Sequence, residues 1–245
     1  MELEIDKGGE RGDYAEEILN TANTHNLHLY AKHDGSIDDG FELVSHPMTL
    51  EYHTNTMNWS GVMDMALSLD YRSHQTQTCG LHIHVNRKAF GNDYDTQEDS
   101  ISRIVHFAEV HWNELLKFSR RTEANMNRWA SRYGISTTAK DTYKNAKAKH
   151  CGRYVAINLE NYSTIEFRIF RGTLRYKTFL ATLQLVDEIC NLAIKLSDRE
   201  LEGMSWSDFV IRIDSKNKPE LIEYLKARRL YVNEPVAVSA ETEVE

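Results

Sequence analysis

The segment from Gly80 to Asn86 constrains the fold of this chain most, because its polarity alternates without exception. Apolar Leu81, Ile83 and Val85 alternate with polar His82, His84 and Asn86. Successive side chains of a strand project to opposite faces, so one face packs on a core and the other carries two imidazoles. Two histidines at this spacing reach one metal ion or one phosphate. Two histidines in a polar interior without a ligand are the alternative.

Strand-like and helical patterns mix along the 245 residues, and this mixture predicts an α+β fold. We expect a largely antiparallel sheet with helices packed against one face. Three prolines and no internal repeat favour a single domain over residues 1–232. The acidic segment 233–245 lacks aromatic residues and is predicted to be a disordered tail.

Composition excludes several classes of protein. The net charge of -8 argues against a nucleic-acid-binding protein. No stretch of 18 apolar residues is present, so no membrane span is predicted, and the acidic first residues do not resemble a secretory signal. Three cysteines do not form a disulfide framework, and they favour a reducing, cytoplasmic location. Oligomeric state is not readable from the sequence.

Three acidic side chains precede the histidine segment on other predicted strands or turns. Glu2 and Glu4 share one face of a predicted strand, and Glu42 follows the Asp34-Gly35-Ser36 turn within an apolar strand. Stacked carboxylates repel one another unless a cation neutralises them. Each residue taken alone is typical of a solvent-facing position.

A late predicted strand carries both charges on one face. Glu166 and Arg168 alternate there with Ile165, Phe167 and Ile169. They form an ordinary salt bridge, or they divide labour, with the carboxylate on a cation and the guanidinium on a phosphate or carboxylate. The stretch from Arg120 to Arg153 contains nine basic and two acidic residues, which suits a polyphosphate but also a solvated surface. Neither a P-loop nor a dinucleotide-binding glycine pattern occurs.

Read in order, these segments resemble the amidoligase family of carboxylate–amine ligases. The matching motifs are ELEID, KHDGSI, GFELVSHP, CGLHIHV, RYVAINL and TIEFRIFRGT. The resemblance implies the glutamine synthetase-like catalytic fold, which glutamate–cysteine ligases share. In that fold an antiparallel sheet curves into a partial barrel, with helices outside. The resemblance covers roughly residues 1–200.

The resemblance also implies roles for individual residues. The metal ligands it implies are Glu2, Glu4, Glu42, Glu166 and either His82 or His84, holding two or three Mg²⁺ ions, or Mn²⁺, around ATP. Arg168 corresponds to the arginine that contacts phosphate, and Arg171 assists it. Arg153 and Lys149 are candidates for the nucleotide phosphates. Asp34 is a candidate general base or amine-binding carboxylate.

The implied reaction is ATP-dependent amide bond formation through an acyl phosphate. Its substrates carry a carboxylate and an amine, and each is a small molecule, a peptide or a protein side chain. A Zn²⁺ or Mn²⁺ hydrolase that uses the histidines and carboxylates without a nucleotide is the alternative. A protein that has kept the fold and lost its activity is a third possibility.

Overall fold

The fold of the chain is described from a computed structural model that covers residues 1–149 and 151–231. Six strands form its only sheet within these residues. They are β1 (Glu2–Ile5), β2 (Leu29–Lys32), β3 (Phe41–Ser45), β4 (Gly80–Asn86), β5 (Ile157–Asn158) and β6 (Thr164–Arg171). The predicted tail, residues 233–245, lies outside the described residues.

Helices fill the connections between the strands and follow the last strand. Those before β5 are α1 (Gly12–Asn20), α2 (Leu50–Asn55), α3 (Trp59–Ser68), α4 (Tyr94–Val110), α5 (Trp112–Ser119), α6 (Glu123–Trp129) and α7 (Ala139–Ala148), with a 3₁₀ turn at Arg87–Phe90. Those after β6 are α8 (Tyr176–Lys195), α9 (Asp198–Glu202), α10 (Trp206–Arg212) and α11 (Pro219–Ala227). The described part of the chain is therefore α+β, as predicted.

All strand pairs of the sheet are antiparallel, and the strand order is β2-β3-β1-β4-β6-β5. The first and last strands of this order, β2 and β5, lie at opposite edges and do not pair. The sheet is therefore open and does not close into a barrel. The predicted glutamine synthetase-like architecture remains a prediction, whereas the antiparallel sheet with helices is confirmed.

The apolar face of the strands joins one core with the helices. Leu3, Leu81 and Phe167 are almost completely buried in the same cluster as residues of α3, α4 and α8. Aromatic contacts tie helices into this core, such as Phe118 of α5 against Phe170 of β6. Burial of this face leaves the opposite face of β1, β3, β4 and β6 for polar side chains.

Two helical predictions differ from the structure. The polar and basic composition of residues 133–152 predicts a loop with a helical turn, whereas the structure has the ten-residue helix α7 there. Its buried side chains are mostly small or polar, as Ala139, Thr142 and Ala146 show, so the apolar periodicity is weak. The amphipathic pattern of residues 98–118 predicts one long helix, whereas the structure interrupts it at His111, where α4 ends and α5 begins. No helix among the described residues is both long enough and apolar enough to cross a membrane.

Candidate active site

The register of the central strands brings the predicted acidic and histidine residues together. Glu2 lies opposite His82, and Glu4 lies opposite Glu42. On the other side of β4, His84 lies opposite Glu166. Directly opposed residues of antiparallel strands project to the same face. Six residues from four separate segments of the sequence are therefore neighbours on the polar face, and we call Glu2, Glu4, Glu42, His82, His84 and Glu166 the carboxylate–histidine cluster.

Two overlapping groups within this cluster have the geometry of a metal site. Glu2, His82 and Glu166 form one group, and Glu4, Glu42 and His82 form the other. In each group the three possible ligand atoms lie within 4.8 Å of one another. His82 is common to both, whereas His84 belongs to neither. The Nε2 atom of His84 lies 3.5 Å from Glu2 Oε2 and is buried without a hydrogen-bond partner in the described chain.

The burial of these groups supports a bound cation. Glu4, Glu42, His82 and Glu166 are each 2–3 % exposed. Few cationic side chains neutralise them, since Lys32 Nζ lies 3.1 Å from Glu42 Oε2 and Arg168 pairs with Glu166. Buried carboxylates that crowd together are costly without a counter-charge. Carboxylate oxygens with an imidazole nitrogen are ligands for a divalent cation, so the residues present fit one.

The pKa values of Glu42 and Glu2 are shifted in opposite directions by their surroundings. Burial, the neighbouring Asp34 and the charge of Glu2 raise the pKa of Glu42 to about 8, although Lys32 opposes this rise. Burial acts to raise the pKa of Glu2 as well, but the neighbouring imidazoles of His82 and His84 outweigh it and lower the value. The cluster therefore contains both a readily ionised and a readily protonated carboxyl group.

Asp34 lies beside Glu42 at the edge of the cluster. Its Oδ1 accepts a hydrogen bond from the backbone N–H of Ser36 at 2.7 Å, which fixes the predicted turn. Burial acts to raise its pKa, but hydrogen bonds with Glu42 and Ser36 lower it to about 2. Asp34 is therefore the ionised partner of a carboxyl–carboxylate pair, and it is only partly buried.

An irregularity in β6 places Arg168 against the cluster. Between the Leu81 and Ile83 pairings, two residues of β6, Arg168 and Ile169, oppose His82 alone. Arg168 Nη1 forms an ion pair with Glu166 Oε1, and its Nε is buried without an acceptor in the described part. Burial acts to raise the pKa of Glu166, but the charges of Arg168 and His82 help to lower it.

Three side chains at this face were not predicted from the sequence. Asn158 Nδ2 donates to Glu166 Oε2 at 2.7 Å, and Lys32 pairs with Glu42. Arg121 lies beside Gly80, where a Cβ atom would come within 2.7 Å of Arg121 Nη2 and 2.6 Å of His82 Nε2. Asn158 gives a sequence signal, because it is the one polar residue of the apolar run from Val155 to Leu159.

The remaining predicted residues lie at different distances from the cluster. Arg171 lies opposite Gly80, and its Nη1 is 3.5 Å from the carbonyl oxygen of Arg120. Arg153 is exposed and stacks on Tyr154, whose ring also faces Arg168 at 5.7 Å. The exposed Lys149 donates to the carbonyl oxygen of Tyr133, and it forms no hydrogen bond or ion pair with the cluster among the described residues.

Comparison with models of protein families gives a match. The model of a family described as "Putative amidoligase enzyme" matches residues 20–190. No curated protein matches the chain. The matched range contains Glu42, both histidines and Glu166, and it begins after β1. Glu2 and Glu4 therefore join the site through strand pairing outside the matched range.

Proposed function

We propose that this chain, which belongs to the amidoligase family, is an amide-bond ligase that uses ATP to join a carboxylate to an amine. The observation that carries the ATP-dependent chemistry is the pairing of two features on one sheet face. The carboxylate–histidine cluster suits divalent cations, and the guanidinium of Arg168 lies at its border. Phosphoryl transfer needs both, because charge on the transferring group must be neutralised from several sides.

The metal would be held by the two overlapping groups. Glu4 and Glu42 on one side, and Glu2 and Glu166 on the other, would bind two Mg²⁺ or Mn²⁺ ions, with His82 between them. The unpartnered Nε2 of His84 makes it a further candidate ligand. When bound, such ions neutralise the triphosphate and polarise its phosphoryl oxygens.

The electrostatic problem of the reaction is the meeting of two anions. A carboxylate and a phosphate oxygen repel by about 4 kcal/mol per pair of unit charges at 4 Å with an effective dielectric of 20. In the proposed reaction the substrate carboxylate attacks the γ-phosphorus, which gives an acyl phosphate and ADP. The amine then attacks the acyl carbon and loses a proton as phosphate leaves.

The chain's own residues would act at each of these steps. Arg168 would bind the transferring phosphoryl group through its buried Nε, while Glu166 and Asn158 hold its position. Arg153 would contact the nucleotide phosphates from the rim, where it stacks on Tyr154. The ionised Asp34 would bind the incoming ammonium group.

Hydroxylamine provides a test that does not require the natural amine. In the proposed mechanism it attacks the acyl phosphate and gives a hydroxamate. We expect ADP and hydroxamate to form in equal amounts with Mg²⁺ and an accepted carboxylate. An Arg168→Gln variant should lose at least 100-fold in rate, because a cationic contact in the transition state is removed. Formation of AMP and pyrophosphate, or of ADP without hydroxamate at saturating hydroxylamine, would contradict the mechanism.

A metal-dependent hydrolase is the second candidate. Each metal group combines one histidine with two carboxylates, a donor set that Zn²⁺ also accepts. Such an enzyme has no need for an arginine at Glu166, so that pairing favours the ligase. About one Zn²⁺ per chain in the purified protein, with no nucleotide binding, would support the hydrolase.

A further inference from the structure

A group of arginines that form no ion pair with a carboxylate of residues 1–149 or 151–231 adjoins the carboxylate–histidine cluster. We call Arg120, Arg121, Arg171 and Arg175 the arginine cluster. Among the described residues, the arginines that pair with carboxylates are others, namely Arg11, Arg72, Arg87, Arg103, Arg132 and Arg168. The contacts of Arg121 and Arg171 are instead with backbone carbonyl oxygens, those of Phe170 and Arg120.

The positive charges of this cluster act on one another. Burial lowers the pKa of Arg120, and the charges of Arg171, Arg228 and Arg175 lower it further. Burial also lowers the pKa of Arg121 to about 10, which the charge of Glu4 opposes. Like charges that share a partly buried region repel, and an oxyanion between them would remove this repulsion.

Arg121 lies between the arginine cluster and the carboxylate–histidine cluster on the polar face of the sheet. It is 8 % exposed, and its Nε is buried with no acceptor in the described chain. Its Nη2 donates to the carbonyl oxygen of Phe170 at 3.1 Å and lies beside Gly80. A guanidinium that is buried without an acid and without an acceptor for Nε has capacity for a ligand.

The backbone at Arg120 is in an unfavourable conformation. Arg120 follows α5 with a φ of 60°, in the left-handed region where glycine is the usual residue. A strained non-glycine residue that persists at such a position points to a role for its side chain. This observation is independent of the charges described above.

We propose that the arginine cluster is a second anion subsite, which binds an oxyanion of a bound substrate beside the carboxylate–histidine cluster. Two sources have this chemistry: a phosphate of the nucleotide, and a second acidic group on the carboxylate substrate. The ligase activity proposed above supplies these two sources. The subsite itself, however, is testable without metal and without turnover.

The decisive variant is Arg120→Gly, which removes the guanidinium and the strain together. We expect its Tm to rise by about 2 °C, because glycine adopts this backbone conformation without cost. In EDTA at low ionic strength, calorimetric titration of pyrophosphate and of glutarate should show at least a tenfold loss of affinity for one of them. Arg175→Gln, at an exposed position, should weaken the same probe about threefold to tenfold.

Arg229→Gly is the matched control. Arg229 is an exposed arginine with a φ of 53° after α11, so the same substitution relieves the same kind of strain outside the cluster. Its Tm should also rise, with affinities unchanged. Loss of pyrophosphate binding alone would assign the subsite to the nucleotide, and loss of glutarate binding alone would assign it to the acid substrate.

The proposal is overturned if neither probe binds the wild-type protein, or if Arg120→Gly binds both as tightly as the wild type does. The proposal is also overturned if the Tm of Arg120→Gly falls and the Arg229→Gly control loses as much affinity for the probe. The loss of binding would then be a structural effect in both variants. If the proposed ligase activity is wrong but the anion subsite exists, the experiments give a different result. In that case the anion probes still bind through Arg120, while Mg²⁺-dependent nucleotide binding is absent.

Discussion

At the scale of single residues, the polar face depends on the absence of a side chain at Gly80. This glycine begins β4 between Glu4 and Arg171, and its N–H donates to Glu4 Oε2. A Cβ atom there would lie 2.6 Å from His82 Nε2, closer than van der Waals contact permits. The smallest possible residue is therefore what allows an imidazole and a guanidinium to approach the same strand.

Replacing Gly80 with alanine should displace His82 or Arg121. We expect Tm to fall by several degrees, since overpacking costs about 1–3 kcal/mol and each kcal/mol lowers Tm by about 2–4 °C for a chain of this size. Mg²⁺-dependent nucleotide affinity should fall as well, by at least tenfold. Thermal denaturation and calorimetric titration measure the two effects.

Gly35→Ala is the control for this substitution. Gly35 has open space where a Cβ atom would stand, so the variant should keep the wild-type Tm and affinity. An unchanged Tm and affinity in Gly80→Ala would show that the close approach of His82 and Arg121 to β4 is not required.

The sequence predicted the members of the carboxylate–histidine cluster better than it predicted the arginines beside them. Glu2, Glu4, Glu42, His82, His84 and Glu166 follow from alternation within strands and from the family resemblance, and the structure brings all six together. Arg121 could not be predicted in this way. It lies in the irregular segment between α5 and α6, and only tertiary packing places it beside Gly80.

At the scale of elements, α2 and α3 are joined by a buried histidine. Trp59 Nε1 of α3 donates to His53 Nδ1 of α2 at 3.1 Å, and the two rings stack. The acceptor role of Nδ1 requires the neutral imidazole. Burial, together with the positive charge of the N-terminus, lowers the pKa of His53 to about 4.

This contact predicts an acid-labile element. The unfolded chain protonates His53 near pH 6.5, whereas the folded chain does so near pH 4. The contribution of neutral His53 to the free energy of unfolding is complete above pH 6.5. It is lost as pH falls towards 4, because the unfolded state then binds the additional proton. Urea unfolding at several pH values should show that His53→Gln, which cannot titrate, depends less steeply on pH in this window than the wild type.

Exposed His25→Gln is the control, and its pH dependence should match that of the wild type. The comparison between variants is needed because two other groups also make stability depend on pH in this window. Burial and Asp34 raise the pKa of Glu42 to about 8, and burial lowers the pKa of His111 to about 4. Equal slopes for His53→Gln and wild type would contradict the assignment of a neutral buried His53.

Strands were predicted more closely than helices for a physical reason. β4 spans Gly80–Asn86 as the alternation predicts, because one buried face and one polar face impose a period of two. α7 lacked an equivalent signal, since Ala139, Thr142 and Ala146 pack without large apolar side chains. The amphipathic helical spacing of residues 98–118 gives no sign of the break at His111, because the apolar residues continue on both sides of that histidine.

At the scale of the whole molecule, the sheet order explains how distant segments meet. β1 comes first in the chain yet lies in the middle of the sheet, between β3 and β4. The central pairing of β1 places Glu2 and Glu4 between Glu42 and His82. Local patterns do not determine whether a sheet curves into a partial barrel or closes, because closure depends on whether the edge strands meet, and here β2 and β5 do not.

Calorimetric titration of a nonhydrolysable ATP analogue tests most directly whether the polar face of the sheet binds a nucleotide through divalent cations. We expect binding in the presence of Mg²⁺ and at least a hundredfold weaker binding in EDTA. Glu166→Gln, which keeps an acceptor for Asn158, should lose at least tenfold in affinity, whereas the exposed Glu160→Gln should bind as the wild type does. Binding that is equally tight without Mg²⁺, or no binding in either condition, would contradict the account.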